Sequence, residues 1–144
     1  MIINTMEGKR YVGVLIKYGK QILLVKRNAD NVKESIWTIP GGKMIEGLKI
    51  REAAKQMLLD TTSIEVDANE LHLVGLIPRE SKDGKKDKGL MYVYLHEPLV
   101  GLLPMFESCK TPNKHIQHGY FTVEHIQYLN CGKHLPKFVK TIFS

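Results

Sequence analysis

Two runs of hydrophobic residues near the start of the chain have the pattern of paired strands. The runs "YVGVLIK" (residues 11–17) and "QILLVKR" (residues 21–27) are rich in β-branched and aliphatic side chains, and "YGK" separates them. Such runs joined by a Gly-containing turn are typical of an antiparallel hairpin. The next stretch, residues 28–35, contains Asn, Asp and Ser without an apolar period, which predicts a surface loop.

A helical period follows. From Lys49 onward the apolar residues recur with the spacing i, i+3, i+4, i+7 and i+8, at Ile50, Ala53, Ala54, Met57 and Leu58. This spacing places them on one face of an amphipathic helix. We predict that the helix ends between Thr61 and Ser63.

The second half of the chain contains two more strand-like runs, residues 71–80 and 90–99, joined by a charged, Gly-containing turn. An irregular segment over 104–119 is expected next. Thr122 can then cap a short helix. We predict another short helix over residues 135–144. No repeat or linker is visible, so the pattern predicts one domain over 1–144, with a mixed sheet packed between helices.

Length and composition narrow the class of protein. A chain of 144 residues that is 43% hydrophobic can bury a core without disulfides or a structural metal. Only two cysteines occur, Cys109 and Cys131, so a disulfide framework is excluded and a reducing, cytoplasmic location is expected. The N-terminus lacks the apolar core of a signal peptide, and no apolar run approaches the roughly 20 residues of a membrane span.

The positive charge is concentrated in the C-terminal part. The net charge is +6, and residues 81–144 hold nine Lys or Arg against five Asp or Glu. Positive potential raises the local concentration of anionic partners. It favours a nucleotide, a nucleic acid or an acidic protein surface without choosing among them.

The order of these elements resembles the Nudix hydrolase superfamily. The resemblance rests on a hairpin ending "LLVKR", a loop, "WTIPGGK" (residues 37–43), and a helix whose "AA" follows the glycines after ten residues. The segments "LHLVGL", "MYVYL" and "GYFTVEHIQYL" extend it over nearly the whole chain. It implies an α/β/α sandwich with a mixed β-sheet. It also implies hydrolysis of a nucleoside diphosphate linked to another group, with Mg²⁺ or Mn²⁺ as cofactor.

The Nudix box itself is largely replaced. The family pattern is Gly, five residues, Glu, seven residues, Arg-Glu, an apolar residue, any residue, Glu-Glu, any residue, Gly and an apolar residue. Counting from Gly42 gives Leu48 for the first Glu, Gln56 and Met57 for Arg-Glu, Leu58 for the apolar residue, Asp60 and Thr61 for Glu-Glu, Ser63 for Gly and Ile64 for the last apolar residue. The pair Arg51 and Glu52 resembles Arg-Glu but lies five residues too early.

This replacement removes most of the expected metal ligands. Mg²⁺ prefers a near-octahedral shell of oxygens, whereas Met57 offers a thioether and Thr61 a neutral hydroxyl. Asp60 is the one carboxylate left in the pattern. The residual catalytic candidates are Asp60, Glu52 and Glu46, and Asp60 with Glu52 is the weak candidate for a metal. The favoured interpretation of Glu46 and Glu52 is that they are solvated acids near a helix start.

Ligand-binding candidates follow from the same resemblance. A glycine pair before a helix lets the backbone turn sharply and approach a phosphate closely, while the helix start offers N–H groups. In the family, basic residues at strand ends often lie near the phosphates of the ligand, and the late aromatic segment often borders the substrate pocket. A basic residue at a strand end is equally common as an ordinary surface residue. The candidates are Arg27, Gly41, Gly42, Lys43, Arg79, Tyr120 and Glu124.

We therefore predict a Nudix-fold protein that has lost metal-dependent hydrolysis, needs no cofactor, and binds a nucleotide-like ligand or a protein partner. The first alternative is a Mg²⁺- or Mn²⁺-dependent hydrolase with a non-standard site. The second is a basic RNA-binding or interaction module, because a fold alone does not carry function. It would use Lys82, Lys85, Lys86 and Lys88, a cluster without interleaved aromatics that is more typical of a solvated hairpin tip. Homodimers are common in the family and are a further expectation.

Overall fold

A computed structural model describes residues 10–27, 36–78, 89–98, 115–132 and 134–143. These residues form a mixed sheet flanked by helices. In chain order the elements are β1 (Arg10–Tyr18), β2 (Gln21–Arg27), β3 (Trp37–Thr38), β4 (Gly41–Lys43), α1 (Ile50–Thr62), a short 3-10 helix (Ala68–Glu70), β5 (His72–Pro78), β6 (Leu90–His96), β7 (His115–Thr122), α2 (Val123–Ile126) and α3 (Leu135–Phe143).

The sheet is built around β1. Its strand order is β3-β2-β1-β6-β5, with β4 also paired to β1 and β7 to β2. β1 runs parallel to β6 along Arg10–Ile16, and the other pairs are antiparallel. β1 and β2 pair directly only beside their turn, and farther along β4 lies against β1 while β3 lies against β2. The sheet therefore separates between the two hairpin strands, and the short β3–β4 segment fills the gap.

Helices cover both faces of this sheet. α1 packs over β1, β4 and β6 on one face, and α2 and α3 lie on the other. The α1-side cluster consists of Val12, Val14, Ile16, Leu23, Ala53, Ala54, Met57, Leu58, Ile64, Val66, Leu71 and Tyr94. The α3-side cluster consists of Leu15, Ile22, Leu24, Ile39, Val93, Ile126, Leu135 and Val139. The two clusters confirm the α/β/α sandwich, and burial on both faces explains why the hairpin strands are almost continuously apolar.

Most of the predicted elements are present. The hairpin, the helix from Ile50, the two strands after it and the C-terminal helix all form near their expected bounds. Thr122 caps α2 by accepting a hydrogen bond from the His125 N–H at 3.2 Å. No apolar run in the sequence is long enough for a membrane span. In agreement with this, no helix within the described ranges has the length and hydrophobicity of a membrane span.

One prediction was wrong, because part of the segment expected to be irregular is a strand. Residues 115–122 pair with β2 along its full length, with an irregularity in the ladder beside Arg27. The sequence "HIQHGYFT" has no run of β-branched residues, so its own propensity gives little strand signal. Pairing with the exposed edge of β2 supplies the backbone hydrogen bonds that make it a strand.

The β1–β2 turn generates a test of the fold. Gly19 has φ +61° in a two-residue hairpin loop, and no atom of the described residues other than Gly19 and its two chain neighbours lies within 4 Å of the position a Cβ would take. The cost of Gly19→Ala is therefore backbone strain alone, and we expect a loss of about 1–2 kcal/mol in the free energy of unfolding. Thermal and urea unfolding measure it. Lys20→Ala is the control, because Lys20 is the next residue and is also exposed. An equal loss of stability in both variants would contradict the role of backbone strain at Gly19.

Candidate functional site

The C-terminal half of α1 lies against β4, and a methionine forms the contact. Met57 is only 4% exposed. A Cβ added to Gly42 would lie 3.2 Å from the Met57 Cγ, so the side chain fills the space that the glycine leaves. Met57 also belongs to the α1-side cluster. Met57, which corresponds to a glutamate in the Nudix box, is therefore part of the hydrophobic core.

Thr61 turns its hydroxyl back onto the same helix. The Oγ1 donates to the carbonyl oxygen of Met57 at 2.8 Å, and it lies 3.5 Å from the Met57 sulfur. A hydroxyl that bonds the carbonyl one turn earlier is a common arrangement for threonine within helices. This orientation directs the Thr61 proton into the helix, leaving a neutral oxygen where the family pattern has a carboxylate.

Asp60 is held by a neighbour on α1. The amide Nε2 of Gln56 donates to the Asp60 Oδ1 at 2.9 Å, on an exposed part of the helix. Glu52 lies one turn before Gln56 and is exposed, so the three side chains form a row at i, i+4 and i+8 along one flank. Glu46 is also exposed, in the segment before the helix.

These carboxylates do not form a metal cluster. Among the residues that the structure describes, no group of three or more His, Cys, Asp and Glu side chains is placed to hold a metal ion. Glu46, Glu52 and Asp60 are thus not brought together. Asp60 is the carboxylate of this row that lies in the C-terminal half of α1.

The glycine pair lies in a strand rather than at a turn, which corrects the expectation of a sharp turn there. Gly41 and Gly42 pair with β1, and the positive φ of +86° falls later, at Gly47, three residues before α1 begins. A Cβ at Gly41 would lie 2.8 Å from the Met91 Cε. The pair is therefore explained by side chains packing closely over β4. Lys43, the next residue, is exposed.

Tyr120 and Glu124 lie near different parts of the core. Tyr120 stands opposite Leu23 of β2 and packs against the α1-side cluster. Its Oη is buried and has no hydrogen-bond partner among the residues that the structure describes, although part of the residue is exposed, and burial raises the pKa of this hydroxyl. Glu124 is exposed on α2, whose buried Ile126 belongs to the α3-side cluster. The structure does not bring these two candidates onto one surface.

The remaining candidates are only partly described. The backbone of Arg27 ends β2 and pairs with His115, while its side chain lies outside the described residues. The same holds for the whole of Arg79 and for Lys82, Lys85, Lys86 and Lys88. Their roles stay predictions.

Sequence reasoning missed two features near these residues. The first is the bond from Gln56 to Asp60, although the i, i+4 spacing of an amide and an acid is a signal for such a pair. The second is an aromatic group where β2, β3 and β7 meet. Trp37 contacts Phe121 edge to face with ring centroids 5.0 Å apart, and the Lys26 ammonium lies 6.0 Å from the Trp37 ring. These residues are distant in sequence, so no local pattern connects them.

Comparison with known families and proteins gives a consistent result. A model of the NUDIX domain matches residues 8–141, which is nearly the whole chain. No curated protein matches the chain in sequence.

Similar folds occur among solved structures. A MutT NUDIX hydrolase from Burkholderia pseudomallei has a TM-score of 0.70 at 18% identity, with 92% of this chain and 96% of that chain covered. An Ap4A hydrolase binary complex from C. elegans has a TM-score of 0.66 at 15% identity, with 93% and 94% covered. A bifunctional NMN adenylyltransferase/ADP ribose pyrophosphatase from Francisella tularensis, complexed with AMP and a Mn ion, has a TM-score of 0.63 at 17% identity, with 92% and 36% covered. At these identities the similarity concerns the fold.

The buried Tyr120 hydroxyl generates the second test. Tyr120→Phe removes a buried hydroxyl that has no partner within the described ranges, so we expect the free energy of unfolding to rise by about 1 kcal/mol. Because burial raises the pKa of Tyr120, the folded wild type keeps a proton that the unfolded chain loses above about pH 10. Wild-type stability should therefore fall more steeply than that of the variant above this pH.

Urea unfolding at neutral pH and above pH 10 measures both effects. Tyr128→Phe is the control. Tyr128 is 85% exposed, so this variant should have the same free energy of unfolding as the wild type. A destabilised Tyr120→Phe variant would mean that the hydroxyl has a structural partner.

Proposed function

The chain belongs to the Nudix family, and on this premise we propose that it binds a nucleotide-like ligand and no longer catalyses metal-dependent hydrolysis. The observation that carries the proposal is the burial of Met57 against Gly42. The Nudix box has a glutamate at this position. A thioether packed in the core can neither bind a hard cation nor exchange its contacts for water.

The chemistry of the neighbouring residues supports the same conclusion. Metal-assisted hydrolysis of a phosphoanhydride needs cations that stabilise developing charge and a ligand set that fixes their geometry. The Thr61 hydroxyl is directed to the Met57 carbonyl, and Asp60 is bonded to Gln56. A single carboxylate beside α1 is too small a set to hold the cations and orient an attacking water.

The class of ligand is proposed from the relatives and from charge. Two proteins of similar fold are described as acting on Ap4A and on ADP ribose, and one of them is complexed with AMP. The net charge of +6 favours such anions. Lys43 supports a phosphate contact because it is exposed immediately after the glycines of β4. Arg27 at the end of β2 and the exposed part of Tyr120 are further candidates.

The residual hydrolase would need Asp60, Glu52 and Glu46 to act together. Glu52 and Asp60 are separated by two helical turns, and the amide of Gln56 lies between them in the row. This separation argues against a shared ion. No observation in the described ranges favours the RNA-binding alternative over the nucleotide.

The binding proposal predicts that a nucleotide binds without a metal. Titration calorimetry in EDTA with AMP, ADP-ribose and Ap4A should detect heat for at least one of them. Lys43→Ala should weaken that binding by about ten- to a hundredfold, because a charge-assisted hydrogen bond contributes roughly 1.5–3 kcal/mol. Lys137→Ala, an exposed lysine on α3, is the matched control and should bind as the wild type does. No heat with any nucleotide would overturn the proposal.

The loss of hydrolysis is tested separately. With Mg²⁺ or Mn²⁺ and the same nucleotides, we expect the wild type and Asp60→Asn to release product at the same background rate, because no cation is held in a reactive position. Phosphate-release and chromatographic assays measure it. A wild-type rate that Asp60→Asn abolishes would establish the hydrolase instead.

A further inference from the structure

A strip of exposed leucines lies on the sheet beside α1. We define the leucine patch as Leu73, Leu76 and Leu90, which are 51%, 49% and 45% exposed. In the β5–β6 ladder Leu73 stands opposite Tyr94, Leu76 opposite Tyr92, and Pro78 opposite Leu90. Residues two apart on β6 face the same side, so the patch lies on the face that buries Tyr94 in the α1-side cluster.

Among the described helices, none packs on the leucine face of β5, whereas the opposite face of that strand is packed against α3. α1 packs mainly over β1, β4 and β6, while Leu73 and Leu76 of the edge strand β5 stay about half exposed. On the opposite face β5 is covered, because the Phe138 ring of α3 would lie 2.7 Å from a Cβ added to Gly75. Val74 and Ile77 pack there against the α3-side cluster. A half-covered antiparallel strand ordinarily carries polar residues on its open face, and this one carries leucines.

Positive charge borders the patch. Burial raises the pKa of Tyr94, and the nearby Arg51 guanidinium opposes that rise, which places the charge next to the residue opposite Leu73. Lys55 follows Arg51 by one turn, so the two bases share the flank of α1 nearest β6. The acids Glu52 and Asp60 lie on the other flank, with Gln56 between them.

We propose that the leucine patch is a docking site for an acidic segment of a protein partner that carries apolar side chains. Apolar side chains would cover the leucines, while carboxylates would face Arg51 and Lys55. The site lies across α1 from the proposed nucleotide site, so the proposal stands independently of nucleotide binding.

A second copy of the chain fits less well as the occupant. Two-fold pairing through this face would bring the basic flank of α1 toward its own copy, in a chain that already carries +6. Three half-exposed leucines also supply far less than the roughly 800 Å² per partner of a standard stable interface. A short segment needs less area and brings the opposite charge.

The proposal is tested by selecting a displayed library of random peptides on the full chain. The control variant is Tyr128→Ser, because the Tyr128 side chain is exposed and lies two residues after α2. The wild type and this variant should enrich sequences combining Asp or Glu with Leu, Ile or Phe. Leu76→Asp should lose this enrichment, because it removes apolar surface and adds a like charge. A synthetic peptide from the wild-type pool should bind about tenfold more weakly to Arg51→Glu and more weakly as salt is raised.

Four results would overturn the proposal. They are identical pools from the wild type and Leu76→Asp, a wild-type pool rich in basic residues, a concentration-dependent homodimer that Leu76→Asp dissociates, and binding of anionic phosphatidylserine vesicles that Leu76→Asp abolishes. Thermal unfolding checks that each variant is folded. If Leu76→Asp is unfolded, Leu73→Ser and Arg51→Glu take its place, and unchanged pools from both would overturn the proposal equally.

Discussion

The packing of Met57 against Gly42 is the contact on which both the fold and the proposed loss of chemistry depend. It attaches α1 to β4 and so to β1, the strand that the rest of the sheet is built on. Burying a methionine side chain contributes about 1.5–3 kcal/mol, whereas a carboxylate at the same depth would have to be paired or neutralised. A side chain that stabilises the helix on the sheet therefore occupies the position that a cation would need.

The helix separates two kinds of surface. One flank of α1 carries the row of Glu52, Gln56 and Asp60, and the other carries Arg51 and Lys55. The first borders the region where β4 and the proposed nucleotide site lie. The second borders the edge of the sheet with its uncovered leucines. One thirteen-residue helix can thus present a different electrostatic character to each side while its buried face stays apolar.

Local periodicity predicted the elements that depend on it. The apolar spacing after Lys49 gave α1, and the register of the family pattern finds independent support at Ser63, which has φ +63° where the pattern has a glycine. β7 could not be predicted because its strand conformation comes from pairing with β2, and β3 and β4 are too short to show a period. The turn at Gly47 depends on how the segment before α1 packs, whereas the i, i+4 spacing of Gln56 and Asp60 was a signal in the sequence. The helical spacing already separates Glu52 from Asp60 by two turns, but only the three-dimensional arrangement separates Tyr120 from Glu124.

The parallel pairing of β1 with β6 also has a consequence for the order of folding. On one edge of β1, residues 10–16 pair with residues 90–96, so the central strand of the sheet cannot be completed until most of the chain has been synthesised. At ordinary rates of translation this interval is on the order of ten seconds, during which an almost wholly apolar hairpin has left the ribosome without its partner strand. The nascent chain therefore has a long window in which chaperone binding competes with aggregation, and that window is set by topology rather than by final stability.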